Sequence, residues 1–215
     1  LAARVHRPVR LWLARVWIAT RTAMRGDLAR AEELASEAFE LGASLDQPDA
    51  FAWFAGQLFN LRYLADRTPE LVDAIEEQVA EHAGAIPAWQ AALAFTYTTT
   101  GREEDARRII KEFTSSDFAN LPKDMLRLVG LAYLASACAR LDDPEAARAV
   151  YAQLVSFTAM VAHNGTIDAG PIDLHLGALA AGFGDAPLAR RHLEAARQQG
   201  EVSDAAAGRV HGARL

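Results

Sequence analysis

Apolar residues along this chain come in runs of helical period, and the runs are broken at regular intervals by Gly or Asp. The clearest pair of runs lies between Gly170 and Gln199. Leu174, Leu176, Leu179 and Ala180 form one run that closes at Phe183-Gly184, and Asp185 caps a second run carrying Leu188, Ala189, His192, Leu193 and Ala196. Equivalent breaks fall at Gly26, Asp66, Gly101 and Asp142, so that the five breaks are 40, 35, 41 and 42 residues apart. Eight positions before each break stands an apolar residue: Ile18, Leu58, Leu93, Leu134 and Leu176. Seven before stand Ala19, Phe59, Ala94, Ala135 and Gly177, and five after stand Ala31, Leu71, Ala106, Ala147 and Ala189, each set small in four of five. Small residues at fixed points let two backbones approach. A single helical hairpin cannot bury such a face alone, so the pattern predicts a stack of hairpins.

In chain order the pattern predicts helices over 8–25, 27–42 and 49–65. Thr68-Pro69-Glu70 reads as the start of a helix running to about Gly84, and Pro87 starts another that ends at Thr98-Thr99-Thr100-Gly101. A short charged helix follows over 102–115, then one from Pro122 to near Leu141, then one opened by Asp143-Pro144-Glu145. Pro171 suits the first turn of the next. The stretch 162–170 is the longest predicted loop, and no segment reads as a strand. Residues 1–200 are assigned to the helical array, and 201–215 to a cap helix or flexible tail.

Composition narrows the function class. Among 215 residues, 51% hydrophobic and 23% charged is an ordinary globular balance. A net charge of −6 argues against a nucleic-acid surface, which would be basic. The single cysteine, Cys138, sits in an apolar run and points to a reducing, cytoplasmic setting without disulfides. The longest apolar run, 128–139, is well short of the roughly 20 residues that span a bilayer. Because the chain opens on Leu1, it is expected to be a piece of a longer protein.

No phosphate-binding loop, zinc-protease helix, serine-hydrolase elbow or cysteine pair occurs. No cofactor, metal site or catalytic residue is therefore expected, and Cys138 reads as packing. One cluster stands out. His163, Asp168, Asp173 and His175 surround the long loop, and His192 on the partner helix falls nearly level with His175. Two imidazoles and a carboxylate could hold a metal, but positions 173 and 175 do not share a helical face, so hydrogen-bonded structural roles are expected.

The Leu-Gly pair, the Gly turn and the later Ala positions resemble the tetratricopeptide repeat (TPR), though these repeats exceed its roughly 34 residues. The resemblance implies an all-α, right-handed α-solenoid of about five TPR-like hairpins. The wording DAGPIDLHLGALAAGFGDAPLARRHLEAA (168–196) is similar to the last repeats of large bacterial signalling proteins. Those proteins join an ATP-binding module, a TPR-like array, and either a LuxR-type DNA-binding domain or a nucleotide-cyclase domain. Nothing here matches their ATP-binding or DNA-binding motifs.

In a TPR the first helix of each hairpin lines a concave groove. That placement implies a lining of Leu13, Thr20 and Met24, then Trp53, Asn60 and Tyr63, then Ala88, Phe95 and Thr98, then Val129, Ser136 and Arg140. Some TPRs clamp a peptide carboxylate with basic residues and an asparagine, for which only Asn60 and Arg140 are present. With so little charge, the groove is expected to take an apolar or amphipathic protein or peptide, or a small-molecule effector. The leading expectation is a non-enzymatic binding module of a bacterial multidomain regulator, without nucleic-acid or membrane contact. Two alternatives stand beside it: a structural arm packing on other domains of its own chain, and an enzyme or metal site around 163–192.

Overall fold

The computed structural model describes residues 2–81 and 86–202, with side chains described over 8–81 and 86–200. The fold is all-α, with ten α-helices and one small two-stranded sheet among the described residues. The helices are α1 (Ala2–Met24), α2 (Leu28–Ser44), α3 (Ala50–Leu64), α4 (Val72–Glu81) and α5 (Pro87–Thr99). They continue as α6 (Glu103–Ser115), α7 (Arg127–Cys138), α8 (Pro144–Leu154), α9 (Ile172–Gly182) and α10 (Ala186–Val202). Helices α1 and α2, α5 and α6, α7 and α8, and α9 and α10 pack as neighbours in sequence. Across them α2 packs on α3, α5 on α7, α6 on α8, and both α7 and α8 on α9.

Backbone conformation follows the periodic breaks. Gly26, Asp66, Gly101 and Gly184 all have positive φ, the left-handed geometry that lets a helix end and the chain reverse. Asp142 does not share it. There α7 ends earlier than predicted, at Cys138, and a short turn leads to Asp143, whose carboxylate accepts from Ala146 N at 3.0 Å to cap α8. Asp27 and Asp185 cap α2 and α10 in the same way.

All the positions seven before the breaks are buried: Ala19, Phe59, Ala94, Ala135 and Gly177. Five after the breaks, Ala31, Ala106, Ala147 and Ala189 are buried and Leu71 is half-buried. A cluster of buried side chains runs from Ala23 to Leu179, with a smaller one at Trp12, Val16, Ala38 and Ala50.

The elements depart from expectation in four further places. Pro122 does not begin a helix; Asp117 and Phe118 turn left-handed, Phe118 and Leu121 plug the core, and Asp124 accepts from Leu126 N before α7 starts. The Arg127 guanidinium donates to the Leu121 carbonyl, holding that loop down. Thr68-Pro69 opens a 3-10 turn rather than α4, because the buried Thr68 hydroxyl bonds Thr99 instead of capping. The expected loop 162–170 instead contains an antiparallel hairpin, β1 (Val161–His163) with β2 (Asp168–Pro171), and Pro171 becomes the N-cap of α9. Finally, α1 begins at Ala2, with Pro8 inside it. The expected tail, apart from 201–202 in α10, lies outside the described residues.

Candidate functional site: an aromatic pocket

Several of the inner positions of the first helices meet one another. Tyr63 on α3 and Phe95 on α5 are buried, at 3% and 2% exposure, with their rings 4.9 Å apart. The Tyr63 hydroxyl lies 2.8 Å from Ser136 Oγ on α7, and Ser136 lies 3.4 Å from His175 Nδ1 on α9. His175 Nε2 faces the Ala169 carbonyl at 2.8 Å. A carbonyl can only accept, so in the neutral ring Nε2 carries the proton and Nδ1 accepts from Ser136, which then accepts from Tyr63.

Asn60 is buried with Oδ1 3.5 Å from the Tyr133 hydroxyl, and Arg140 reaches Asp66 at 3.3 Å while lying over the Phe95 ring. Asn60 and Arg140 are thus committed to partners within the chain. Thr98 bonds the Phe95 carbonyl, and Leu13 packs on the small core cluster. Met24, Val129 and Ala88 stand at the same inner positions, Val129 buried and the other two half-buried.

The histidine cluster separates into different networks. His192 Nδ1 pairs with Asp173 Oδ1 at 2.8 Å and its Nε2 lies 2.9 Å from the Tyr151 hydroxyl, while Asp173 Oδ2 accepts from Ala159 N. His192 and Asp173 are both buried. His175 belongs instead to the Ser136–Ala169 chain, His163 is exposed, and Asp168 accepts from Gly170 N within β2. His175 and His192, nearly level in the sequence pattern, thus take separate hydrogen-bond partners. No group of three His, Cys, Asp or Glu residues placed to hold a metal occurs among the described residues. Burial pushes the Cys138 thiol up to about 12, which leaves it protonated and unreactive.

Among the predicted lining residues, Trp53 is the aromatic that stays partly open, and it faces a cavity of about 400 Å³. Three indoles wall this cavity: Trp17 from α1, Trp53 from α3 and Trp89 from α5. Behind Trp53 lies Trp12, stacked at a centroid distance of 5.0 Å and 26°. Phe59 and Tyr133 are buried beneath, with Phe59 edge-on to Trp89 at 6.2 Å and to Tyr133 at 4.9 Å. The exposed side chain of Met125 stands at the mouth.

The remaining wall is the turn of the β1–β2 hairpin. Asn164 Oδ1 accepts from Thr166 N, Thr166 Oγ1 and Ile167 N, which fixes the turn. The Thr166 carbonyl then accepts from the buried Thr20 hydroxyl on α1 at 3.0 Å, and Gln57 Nε2 donates to Thr20 Oγ1 at 2.8 Å. Ile167 rests on Gly56, where an added Cβ would lie 3.1 Å from Ile167 Cδ1.

None of the side chains lining the cavity is Asp, Glu, Lys, Arg or His. The volume falls within the roughly 300–1,000 Å³ of small-molecule sites, and apolar walls with a few polar groups are their usual make-up. Of the residues expected in a groove, Trp53, Ala88 and Val129 line this cavity; Trp17, Trp89, Met125 and the turn at 164–167, which also line it, were not among them. A tryptophan on the first helix of three successive hairpins was the available signal. Compared with family models, curated proteins and solved structures, the chain matches none.

Proposed function

We propose that this chain is a TPR-like α-solenoid acting as a non-enzymatic sensor module, and that it binds a neutral, largely apolar small-molecule effector in the tryptophan pocket. The left-handed residues at four of the five breaks and the buried small positions support the repeat register. The pocket itself carries the ligand reading: three indoles around about 400 Å³, with no charged side chain in the lining. A small ligand is favoured over a peptide because Tyr63 and Phe95, the aromatics a groove-bound peptide would need, are already buried. The resemblance of residues 168–196 extends the proposal to a cytoplasmic arm of a bacterial signalling or transcription regulator, with effector chemistry residing elsewhere.

Titration of intrinsic tryptophan fluorescence with a panel of planar neutral molecules, each paired with a charged analogue, tests this. Neutral members should perturb the emission and raise the melting temperature, since a ligand bound to the native state stabilises it. Ala52, exposed on α3 and lining the pocket, supplies the control: Ala52→Phe should fill the space, leave the fold intact and abolish the response. A panel in which only charged analogues bind, or in which Ala52→Phe binds like the parent, would remove the pocket from consideration.

A further inference from the structure

Helix α1 carries two apolar stripes on opposite faces. Trp12, Val16, Ala19 and Ala23 are buried against the rest of the chain. Leu11, Ala14 and Ile18 stand at heptad spacing on the other face; Leu11 and Ile18 are 50% and 51% exposed, and Ala14 between them is half-buried. The repeat register shows what this face lacks. Ile18 stands eight before its break, where Leu93, Leu134 and Leu176 are buried and Leu58 is half-buried.

Charge also distinguishes this face. α1 contains no acidic residue. Arg10 and Arg21 flank the exposed stripe and Arg25 follows it; all three are exposed, and none forms an ion pair among the described residues. Arg30, Arg62, Arg102 and Arg107, by contrast, each hold a carboxylate. A second copy of α1 fits this face poorly, because the same arginines would face one another across a two-fold interface. The exposed outer side of α2 offers Glu33, Glu37 and Glu40 but no apolar stripe to match.

We infer that the outer face of α1 docks an amphipathic helix with acidic flanks. Leu11, Ala14 and Ile18 supply the apolar seam, and Arg10, Arg21 and Arg25 meet the partner's carboxylates. This is the helix-against-helix mode in which apolar anchors give affinity and flanking charges select the partner. The surface is distinct from the tryptophan pocket and does not depend on that pocket being occupied.

The test uses the whole chain and a panel of synthetic helical peptides about five turns long. Each has leucine or alanine in the seam, with either glutamate or lysine flanks. Glutamate-flanked peptides should bind, more weakly as salt rises, and lysine-flanked ones should not. Ile18→Glu should weaken binding by about tenfold or more while melting like the parent, because Ile18 is half exposed. The triple change Arg10→Glu, Arg21→Glu and Arg25→Glu should reverse the preference toward lysine flanks. No binding by any glutamate-flanked peptide, or equal binding of both sets, overturns the inference. So does binding to vesicles with anionic headgroups in place of peptides, or self-association in sedimentation that Ile18→Glu abolishes.

Discussion

Trp12 stacks directly behind Trp53, their ring centroids 5.0 Å apart and their planes 26° apart. Trp12 is 4% exposed while Trp53 remains partly open to the cavity. A pocket wall that is itself backed by a buried ring is held in place before any ligand arrives, and such preorganisation lowers the cost of binding.

Trp12→Ala should therefore act on both stability and binding. Loss of a buried tryptophan costs about 3–5 kcal/mol, read from urea denaturation, and the freed Trp53 should also weaken the ligand response. A stability loss under about 1 kcal/mol would mean that the small core cluster around Trp12 does not pack as described.

Gly42 on α2 tests the same contact from the other side. An added Cβ would lie 2.6 Å from Trp12 Nε1 and 2.8 Å from Ala50 Cβ. Helix propensity alone favours Gly→Ala in a helix by about 1 kcal/mol, whereas overpacking costs about 1–3 kcal/mol. With a bulky ring and a backbone-anchored methyl as the obstacles, packing should win and Gly42→Ala should melt below the parent. A variant more stable than the parent would contradict the close approach of α2, α1 and α3.

The hydrogen bonds from the Arg62 guanidinium hold the Glu32 carboxyl below its ordinary range, through contacts of 2.6 and 2.7 Å that tie α3 to α2. A carboxyl whose folded pKa is depressed adds stability above the unfolded value of about 4.3 and loses it as pH falls through the folded pKa. The Glu32 side chain is 37% exposed, so solvent screening limits the gain to about 1 kcal/mol or less. Glu32→Gln should be the less stable protein near pH 7, and the gap should close as pH falls below the ordinary carboxyl range and through the depressed folded pKa. A gap independent of pH would assign the effect to something other than this pair.

The Cys138 thiol, pushed up to about 12 by burial, should be inert in the folded protein. An aromatic disulfide reagent at pH 8 should label it only as denaturant unfolds the chain, so that labelling follows the unfolding curve. Prompt labelling under native conditions would show that the core around α7 opens far more readily than its packing implies.

The sequence by itself determined the elements whose causes are local. Asp143 and Asp185 cap the helices they precede because a carboxylate beside three free N–H groups needs no distant partner. Gly26, Gly101 and Gly184 mark reversals because they accept the left-handed turn, and the small residues at fixed offsets mark helix contacts because nothing larger lets two backbones close. Local signals were weaker where tertiary contacts compete for the same groups: Thr68 spends its hydroxyl on Thr99, and Leu121 is drawn into the core ahead of α7. Only the tertiary structure decided the pocket. Thr20 and Thr166 are separated by 146 residues, yet their bond sets the β1–β2 turn against α1, and Tyr63 meets Ser136 across 73. A side chain on a helix's inner face can line an open groove or close it, and the pattern that puts it there is the same in both cases. Whether Tyr63 and Phe95 are exposed or sealed depends on how far successive helices are rotated and what folds back over them, and only the packing of the whole chain fixes that.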